Sequence, residues 1–438
     1  MRHWWLIALG LVACERPFVE TIQPELVVLE PDLSEVQTAS VIELRVQSSH
    51  FRPVGGVYLN GAPMDPAPPG PAFWQASVAL RLGLNTLVFE ATDLENISRV
   101  DTAYAIYLPH RISLNAPSLP EGRGGHSIVR LRNGELMVTG GASMQGGPAR
   151  GESFRLASNS GIFGHMQERL ITPRTGHTST VLPNGQVLIV GGSRVDSPTS
   201  VGDLIESAEI FDPDGSMRGF REIPVNGQPI RRVYHAAVLR QSGNDLFLDL
   251  IGGNGDTRYG TSPFFGVRQD VRTFRIEPDE LIALNTNASA PFIDEPVAGY
   301  TVTRTQPNSY LLLGSRFINN SSINGNMRID YPGGTGLFFS GLPGFLMPRT
   351  AHATASVLSG VFTTFGGHQS TPSDVLTRME VFHEQANQFF ALRPAQAMVG
   401  RYRHTATSSG LRSVLLVGGF ARDGTAITAS EYFVVSTE

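Results

Sequence analysis

From about residue 111 onward, the chain alternates mixed runs of polar and apolar residues with runs that are almost wholly apolar. The clearest pair is the alternating run His177–Leu182 followed by Gln186–Val190, which is apolar at nearly every position. Asn184 and Gly185 lie between the two runs and favour a tight hairpin turn. A strand that is apolar at successive positions buries both of its faces, so the pattern predicts hairpins whose second strand is fully enclosed.

This hairpin recurs with a fixed set of landmarks. Each copy has an arginine three residues before a histidine, and its apolar run ends in two glycines, 14 residues after the histidine or 17 in the third copy. The landmarks are Arg123 and His126, Arg174 and His177, Arg232 and His235, Arg349 and His352, Arg401 and His404, with glycine pairs that begin at Gly140, Gly191, Gly252, Gly366 and Gly418. A worn copy at 298–315 fills the long gap after the third. The six units have a period of about 50 residues, the scale of kelch repeats.

Each unit continues into a third strand, as at Ser207–Pro213, with echoes at 379–382 and 430–433. Together these features resemble the kelch and galactose-oxidase propeller family over residues 111–438. The resemblance implies an all-β fold with a six-bladed propeller, in which the loop before each first strand opens onto the binding face near the central channel. The fourth unit departs from the pattern because it lacks the arginine, the histidine and the second glycine. The double glycines are expected where blades crowd and no side chain fits.

The sixth unit ends after its third strand, so a fourth strand has to come from elsewhere if its sheet edge is to be covered. Arg111–Leu114 lies just before the first unit and is the available candidate. We therefore expect this segment to join the last blade and to tie both ends of the ring together.

Residues 25–110 carry a second pattern of short alternating runs, at roughly ten-residue spacing, which predicts a small β-sandwich. The runs are Glu25–Leu29, Val41–Val46, Gly56–Leu59, Phe73–Leu80, Asn85–Ala91 and Val100–Leu108. Within them Gly83, Asn85, Leu87, Phe89, Ala91 and Asp93 fall at every second position. This run resembles the end of bacterial immunoglobulin-like domains, where it forms two late strands. The resemblance implies a stalk or spacer, preceded by a tether at 15–24.

The first fourteen residues have the features of an export signal. Arg2 precedes an apolar run, Trp4–Val12, that is too short to span a bilayer. The run ends in Leu11-Val12-Ala13-Cys14, which resembles the lipobox of bacterial lipoproteins, and Cys14 is the only cysteine. The resemblance implies acylation of Cys14 and cleavage before it, and hence a membrane-anchored protein, periplasmic or on the cell surface; we expect the outer membrane. The alternative is an ordinary secretory signal with a chance cysteine.

Composition narrows the chemistry. The formal charge is −5, which argues against nucleic acid as the main partner, and all 34 basic residues are arginines because the chain contains no lysine. Schiff-base chemistry and a phosphate-loop lysine are therefore excluded. Some relatives of galactose oxidase use a copper-radical cofactor built on a tyrosine cross-linked to a cysteine. Since Cys14 is the only cysteine, that cofactor cannot form, and we expect no cofactor and no metal.

The repeated side chains leave alternatives open. The five arginines (Arg123, Arg174, Arg232, Arg349 and Arg401) either form a basic ring that grips an anionic ligand or pair with third-strand carboxylates such as Glu209, Glu380 and Glu431. The five histidines either converge on a metal or, as we expect, hydrogen-bond within their own blades.

Loops that differ between units specify a ligand better than repeated residues do, because binding concentrates in the loops of a rigid scaffold. The loops after the double glycines contribute the remaining candidates, which are Arg194, Asp256, Arg258, Tyr259, Phe264, Arg316, His368 and Arg422. The sequence thus predicts a non-catalytic envelope lipoprotein whose propeller loop face binds a protein or glycan. The alternatives are a carbohydrate-active enzyme, such as a sugar isomerase or oxidase, and a structural component of envelope assembly.

Overall fold

The computed structural model describes residues 23–50, 52–158, 160–215, 219–256, 265–268, 270–284, 299–318, 321–334 and 336–436. Regular structure in these ranges is β, apart from three short 3-10 turns at Val201–Asp203, Pro332–Gly334 and Pro372–Asp374. No helix in the described part of the chain is long and apolar enough to cross a bilayer. The signal segment and Cys14 lie outside the described residues.

The chain forms two compact units. The first comprises the described part of Met1–Asp32 together with Val41–Ala79 and Thr86–Ala103; the second comprises Leu33–Ser40, Leu80–Asn85 and the described residues from Tyr104 onward. The sequence predicts a boundary at residue 110, whereas three segments of the region 25–110 belong to the second unit, namely Leu33–Ser40, Leu80–Asn85 and 104–110. In the first of them, the N–H of Val36 donates to the carbonyl oxygen of Ala391, and the N–H of Ala391 donates to the carbonyl oxygen of Ser34, each at 2.8 Å.

The first unit is built on two four-stranded sheets. Its strands, two of which extend into the second unit, are β1 (Glu25–Glu30), β2 (Val41–Ser49), β3 (Val54–Leu59), β4 (Ala62–Pro63), β5 (Asp65–Pro66), β6 (Phe73–Ala79), β7 (Gly83–Asp93) and β8 (Ser98–Tyr107). They pair in the orders β1-β2-β6-β5 and β4-β3-β7-β8. The six predicted runs are all strands. The closing run forms one continuous strand, β7, rather than two, and its relation to immunoglobulin-like domains stays a prediction.

The second unit is a ring of six sheets, the blades. After β9 (His110–Ser113), blade 1 contains β10 (Ser127–Arg130), β11 (Leu136–Thr139), β12 (Ser153–Leu156) and β13 (Phe163–His165); blade 2 contains β14 (Thr178–Val181), β15 (Val187–Val190), β16 (Ala208–Phe211) and β17 (Phe220–Ile223). Blade 3 contains β18 (Val225–Asn226), β20 (Ala236–Ser242), β21 (Asp245–Ile251), β24 (Val271–Ile276) and β25 (Leu281–Ala283), beside a small sheet of β19 (Arg232–Val233), β22 (Asn254–Asp256) and β23 (Phe265–Val267).

The remaining blades follow the same plan. Blade 4 contains β26 (Thr301–Gln306), β27 (Ser309–Leu313), β30 (Met327–Asp330) and β31 (Phe338–Gly341), with an inserted hairpin of β28 (Ser315–Ile318) and β29 (Ser321–Asn324). Blade 5 contains β32 (Ala353–Leu358), β33 (Val361–Phe365), β34 (Met379–His383) and β35 (Gln388–Leu392), and blade 6 contains β36 (Thr405–Gly410), β37 (Ser413–Val417) and β38 (Glu431–Val435). The worn fourth unit therefore forms a complete four-stranded blade.

The first strands line the axis and contact one another in the order β10, β14, β20, β26, β32 and β36, and β36 contacts β10 again. A hydrophobic cluster fills each of the six junctions between blades. In β15, Val187 and Ile189 belong to the cluster shared with blade 1, whereas Leu188 and Val190 belong to the cluster shared with blade 3. This arrangement explains why the second strand of the repeat is apolar at every position.

Ring closure follows the sequence prediction. Strand β9 pairs antiparallel with β38, and Ile112 lies opposite Phe433. The added strand covers His110–Ser113, a shift of one residue from the predicted Arg111–Leu114. Blade 6 thus takes its outer strand from the chain segment that precedes blade 1.

The double glycines lie where neighbouring blades crowd, as predicted. Gly191 has a φ of 66°, and a Cβ at this position would lie 2.7 Å from the carbonyl oxygen of Arg232 in the next blade. Gly418 repeats the arrangement, with 2.6 Å to the carbonyl oxygen of Arg123. A side chain here would force two blades apart.

Candidate functional site

The repeated arginines are part of the blade interior. Arg174 donates hydrogen bonds from Nη1 to the carbonyl oxygens of Gly191 (2.9 Å) and Ser207 (3.2 Å), which end the second strand and begin the third. Its Nη2 lies 2.6 Å from Glu209 Oε1, and neither side chain is exposed. Glu209 also accepts the backbone N–H groups of Ile171 and Thr172. One ion pair therefore fastens three segments of its blade.

The same clamp recurs with local changes. Arg349 pairs with Glu380 at 2.6 Å, and Arg401 pairs with Glu431 at 2.7 Å. In blade 3, Arg232 pairs with Asp270 at 2.5 Å. In blade 1 the position of Glu209 is held by Phe154, and the Arg123 guanidinium lies 4.0 Å from its ring centroid. Blade 4 lacks the arginine and has Met327 at the position of the carboxylate.

All five arginine side chains are at most 1% exposed. The structure therefore favours the ion-pair alternative over the ligand-gripping ring, because guanidinium groups enclosed within blades do not reach a surface ligand. Blade 1 adds a cation–π contact that the sequence reasoning did not foresee.

The repeated histidines connect neighbouring blades. The Nε2 atom of His126 lies 2.9 Å from Thr405 Oγ1, and the Nε2 atom of His235 lies 3.0 Å from Thr178 Oγ1. His177 pairs with Thr139 at 3.0 Å, and His352 with Thr301 at 3.2 Å. The expectation that each histidine bonds within its own blade was wrong, since each of these partners belongs to the preceding blade.

These imidazoles are neutral. Burial lowers the pKa of His126, His235 and His352 to about 3, and the repeated arginine of each blade acts in the same direction. Burial also holds the pKa of His177 and His404 well below the ordinary value. Among the described residues, no group of three or more histidine, cysteine, aspartate or glutamate side chains is placed to hold a metal ion.

Six residues, one from each blade, form a closed hydrogen-bonded ring around the axis. Each is the residue before the repeated histidine, or before Tyr300 in blade 4. Each donates its backbone N–H to the carbonyl oxygen of its counterpart in the preceding blade, with N–O distances between 2.7 and 3.0 Å. All six residues have φ between 52° and 70°. They are Gly125, Gly176, Tyr234, Gly299, Ala351 and Arg403, and we refer to them as the axial ring.

Two members of the axial ring carry large side chains, Tyr234 in blade 3 and Arg403 in blade 6. The Arg403 guanidinium lies 4.3 Å from the centroid of the Tyr234 ring. Asp196, from a loop of blade 2, accepts hydrogen bonds at Oδ1 from Arg403 (2.6 Å) and from the Tyr234 hydroxyl (2.9 Å). Burial lowers the pKa of Arg403, but Tyr234 and Asp196 outweigh it and leave the pKa above its ordinary value. We refer to these three residues as the latch.

A cavity of about 330 Å³ lies at this end of the channel, which we call the mouth. Its described lining includes all six axial-ring residues, the five repeated histidines and Tyr300, together with Asn254, Thr301, Thr350 and His368. A second cavity of about 280 Å³ follows the first strands of all six blades and is lined largely by hydroxyl and small side chains. Volumes of this order suit a small polar ligand or one residue of a larger one.

Among the loop candidates that the structure describes, His368 is the one that lines the mouth cavity. It follows the double glycine of blade 5 and bridges to Thr350 and Val375. Burial lowers its pKa to about 4, and its ring meets Tyr402 edge to face at 5.3 Å between centroids. Ala142, Ser193 and Phe420 hold the corresponding bridge position in blades 1, 2 and 6. The imidazole is thus specific to blade 5.

Two of the other candidates lie outside the mouth. Arg194 and Arg422 are exposed in the loops of blades 2 and 6. The backbone of Asp256 ends β22, and that of Arg316 belongs to β28. The side chains of Asp256 and Arg316, and the whole of Arg258, Tyr259 and Phe264, lie outside the described residues. Sequence reasoning missed Tyr234 and Arg403, although the series Gly, Gly, Tyr, Gly, Ala, Arg at the axial ring marks them as the two large members.

No protein-family model matches the chain, and no curated protein matches it. Among solved structures, the chain is similar to one described as "Structure of YjhT", with a TM-score of 0.52 and 12% identity over 72% of this chain and 96% of that one. It is also similar to a fungal alcohol oxidase of the AA5 family in complex with copper, with a TM-score of 0.47 and 12% identity over 80% of this chain and 68% of that one. The second likeness is too distant to carry an argument.

The second unit is therefore a six-bladed β-propeller, in an otherwise all-β protein. A likeness at 12% identity shows the fold and leaves the activity to the residues at the mouth.

Proposed function

We propose that this chain is a membrane-anchored envelope lipoprotein whose propeller binds a glycan, or a glycan-bearing partner, at the mouth of its channel. The observation that carries the proposal is the mouth cavity, where side chains that differ between blades meet. Repeated residues build all blades alike, whereas an asymmetric ligand needs unlike contacts. Tyr234, Arg403 and His368 supply them, since their counterparts in other blades are mostly small.

The chemistry of the described lining suits a neutral polar ligand. His368 is neutral, and the charge of Arg403 is balanced by Asp196 within the latch. The lining combines the aromatic rings of Tyr234 and Tyr300 with donors and acceptors from Asn254 and Thr301. Aromatic faces beside hydrogen-bonding groups fit sugar rings, which present apolar C–H faces and hydroxyl edges.

The test is binding of a panel of neutral methyl glycosides by calorimetry, with wild type and His368→Ser. Serine already occupies this bridge position in blade 2, as Ser193, so the variant is expected to fold. Loss of one hydrogen-bonding side chain should weaken binding about three- to tenfold. Arg422→Ser, on an exposed loop, is the matched control and should bind as wild type. Binding that depends on Arg422 and ignores His368 would move the site from the mouth to the loop rim.

Catalysis on a sugar is the second candidate function. A neutral imidazole in a cavity can accept a proton, and His368 has that state at neutral pH. Incubation with the same glycosides and the free sugars, followed by NMR, would reveal isomerised or oxidised products. Turnover that is lost in His368→Ser would favour the enzyme, whereas binding without any product favours the binding protein.

Lipid anchoring is tested on the mature protein itself. Mass spectrometry of its N-terminal peptide should find an acylated Cys14, and Cys14→Ser should release the protein from the membrane fraction. An unmodified chain that begins at another residue would refute the anchor and would leave the mouth site unaffected. Mild cross-linking tests the alternative that the protein is a structural component of envelope assembly, because such a component should capture one stoichiometric membrane partner.

A further inference from the structure

One histidine of the propeller lacks the partner that its counterparts have. At four junctions between blades, the Nε2 atom of the histidine meets a threonine hydroxyl of the preceding blade. His404, at the junction of blades 5 and 6, has no hydrogen-bond partner at either ring nitrogen. It is only 5% exposed. A buried polar group in this state is destabilising unless water or a ligand satisfies it.

Blade 5 lacks a hydroxyl at both positions that supply one in other blades. The end of the second strand, where blade 1 has Thr139, is Phe365 in blade 5. Thr405, Thr178 and Thr301 begin the first strands of blades 6, 2 and 4, and each supplies its hydroxyl to the next histidine. Blade 5 begins its first strand with Ala353, which has no hydroxyl. Blade 3 also begins with an alanine, but there the next blade has Tyr300 in place of the histidine. Only the junction of blades 5 and 6 therefore keeps the imidazole and loses the hydroxyl.

The imidazole of His404 occupies the same place as its counterparts. A Cβ on Gly366 would lie 2.9 Å from Cε1 of His404, as one on Gly191 would lie 2.8 Å from Cε1 of His235. The ring also borders both the mouth cavity and the channel cavity. Burial, with Arg401 close by, holds its pKa well below the ordinary value, so it offers one donor and one acceptor.

We propose that His404 binds a hydroxyl group of the ligand in the mouth cavity, at the place that a threonine hydroxyl fills at other junctions. The ligand class is a neutral polyhydroxyl compound, because a neutral imidazole suits a hydroxyl better than it suits a carboxylate. This inference rests on the proposed function and names the residue that orients the sugar. It also explains how a ring of similar histidines recognises an asymmetric guest.

The experiment compares His404→Phe with His352→Phe, using the methyl glycosides as probes. A ring without nitrogens is tolerated at this position, as Tyr300 shows in blade 4. His404→Phe should weaken binding at least tenfold and leave the thermal midpoint unchanged or higher, because no bonded partner is lost. His352→Phe should lower the midpoint, because it breaks the bond to Thr301, and is the control for stability; Arg422→Ser, on an exposed loop outside the cavity, is the control for binding and should bind as wild type.

Ala353→Thr and Ala353→Val form a second matched pair. Threonine supplies the missing hydroxyl to His404, so it should raise the thermal midpoint and weaken glycoside binding. Valine adds the same bulk without the hydroxyl and should not stabilise the protein. Unchanged affinity in His404→Phe, or a loss of stability equal to that of His352→Phe, would overturn the inference while the proposed function stands.

If no glycoside binds wild type, the proposed function fails, and the role of His404 is decided by NMR. Glycerol would be titrated while the imidazole ¹⁵N shifts of wild type are recorded, with His404→Phe used for assignment. A shift confined to His404 upholds the hydroxyl-binding position. The hydroxyl-binding position is overturned if the ¹⁵N signals of His404 do not shift, or if all five repeated histidines shift equally.

Discussion

Arg403 and Tyr234 stack across the channel, with the guanidinium 4.3 Å from the ring centroid, although they belong to blades on opposite sides of the ring. Both donate to Asp196, which is 1% exposed. The two residues hold equivalent positions in the axial ring, where three blades have glycine and one has alanine. A buried carboxylate held by residues from two distant blades ties the mouth together across its diameter.

Breaking the latch should be costly. Arg403→Met leaves the buried Asp196 carboxylate without its cation, and we expect a loss of about 3–5 kcal/mol in the free energy of unfolding. Tyr234→Phe removes one hydrogen bond and should cost about 1 kcal/mol. Urea unfolding measures both. In the double variant Arg403→Met with Asp196→Asn, the loss should be smaller than in Arg403→Met alone; an additive result would contradict the pairing.

The ion pairs of the repeated arginines predict losses in the free energy of unfolding that differ from blade to blade. Arg174→Met strands the buried Glu209, so we expect a loss of about 3–5 kcal/mol. Arg123→Met should lose only about 1–3 kcal/mol, because Phe154 stands in place of the buried carboxylate and the ion-pair partner of Arg123, Glu121, is half exposed. Chemical denaturation compares the two. Triple replacement of Arg174, Arg349 and Arg401 should prevent folding; a folded triple variant that merely lost its ligand would restore the basic-ring interpretation.

The buried histidines predict sensitivity to acid. In the folded state their pKa values are depressed, to about 3 for His126, His235 and His352, while the unfolded chain titrates near its ordinary value. The unfolded state therefore takes up protons first, and the stabilisation present above about pH 6.5 is lost as the pH falls toward 3. Each imidazole contributes about 1.4 kcal/mol per pH unit in that window. Thermal midpoints measured from neutral to acidic pH should fall less steeply in His126→Gln than in wild type.

Ring closure depends on β9. Ile112 is 4% exposed and packs in the cluster between blades 5 and 6, so Ile112→Ala should cost about 2–5 kcal/mol. Leu114 lies two residues further and is 58% exposed, and Leu114→Ala should stay within about 0.5 kcal/mol of wild type. Equal effects in urea unfolding would mean that the closing strand contributes little to the stability of the ring.

The repeat made the propeller predictable. Landmarks at fixed spacing identify strands, turns and blade number, and the apolar second strand implies that it is enclosed on both sides. The third-strand carboxylates recur with the same period as the arginines, so their pairing could also be proposed. Blade 4 still folds although it lacks the repeated arginine, the repeated histidine and the second glycine, because it keeps the apolar strands.

The candidate site was less predictable because it depends on contacts between blades. Arg403 and Asp196 are far apart in the sequence, and no local pattern relates them. The histidines pair with the preceding blade, which the period alone does not reveal. The missing hydroxyl at Ala353 becomes meaningful only once His404 is known to face it. Among the loop residues, the sequence distinguishes His368 from the residues at the same place in other repeats, but its position in the mouth can be read only from the fold.

The axial ring separates closure of the propeller, which uses backbone atoms, from recognition of a ligand, which uses side chains. Its six hydrogen bonds run from backbone to backbone, so the ring closes with any side chain that accepts a positive φ and has room beside its neighbours. Substitutions at these positions can change what the mouth recognises while the circular bonding stays intact. A Cβ at any of the three axial-ring glycines would lie less than 3.0 Å from a neighbouring side chain, so the positions open to substitution are Tyr234, Ala351 and Arg403. This chain uses two of these three for large groups, and replacing Ala351 is a direct route to altered ligand preference.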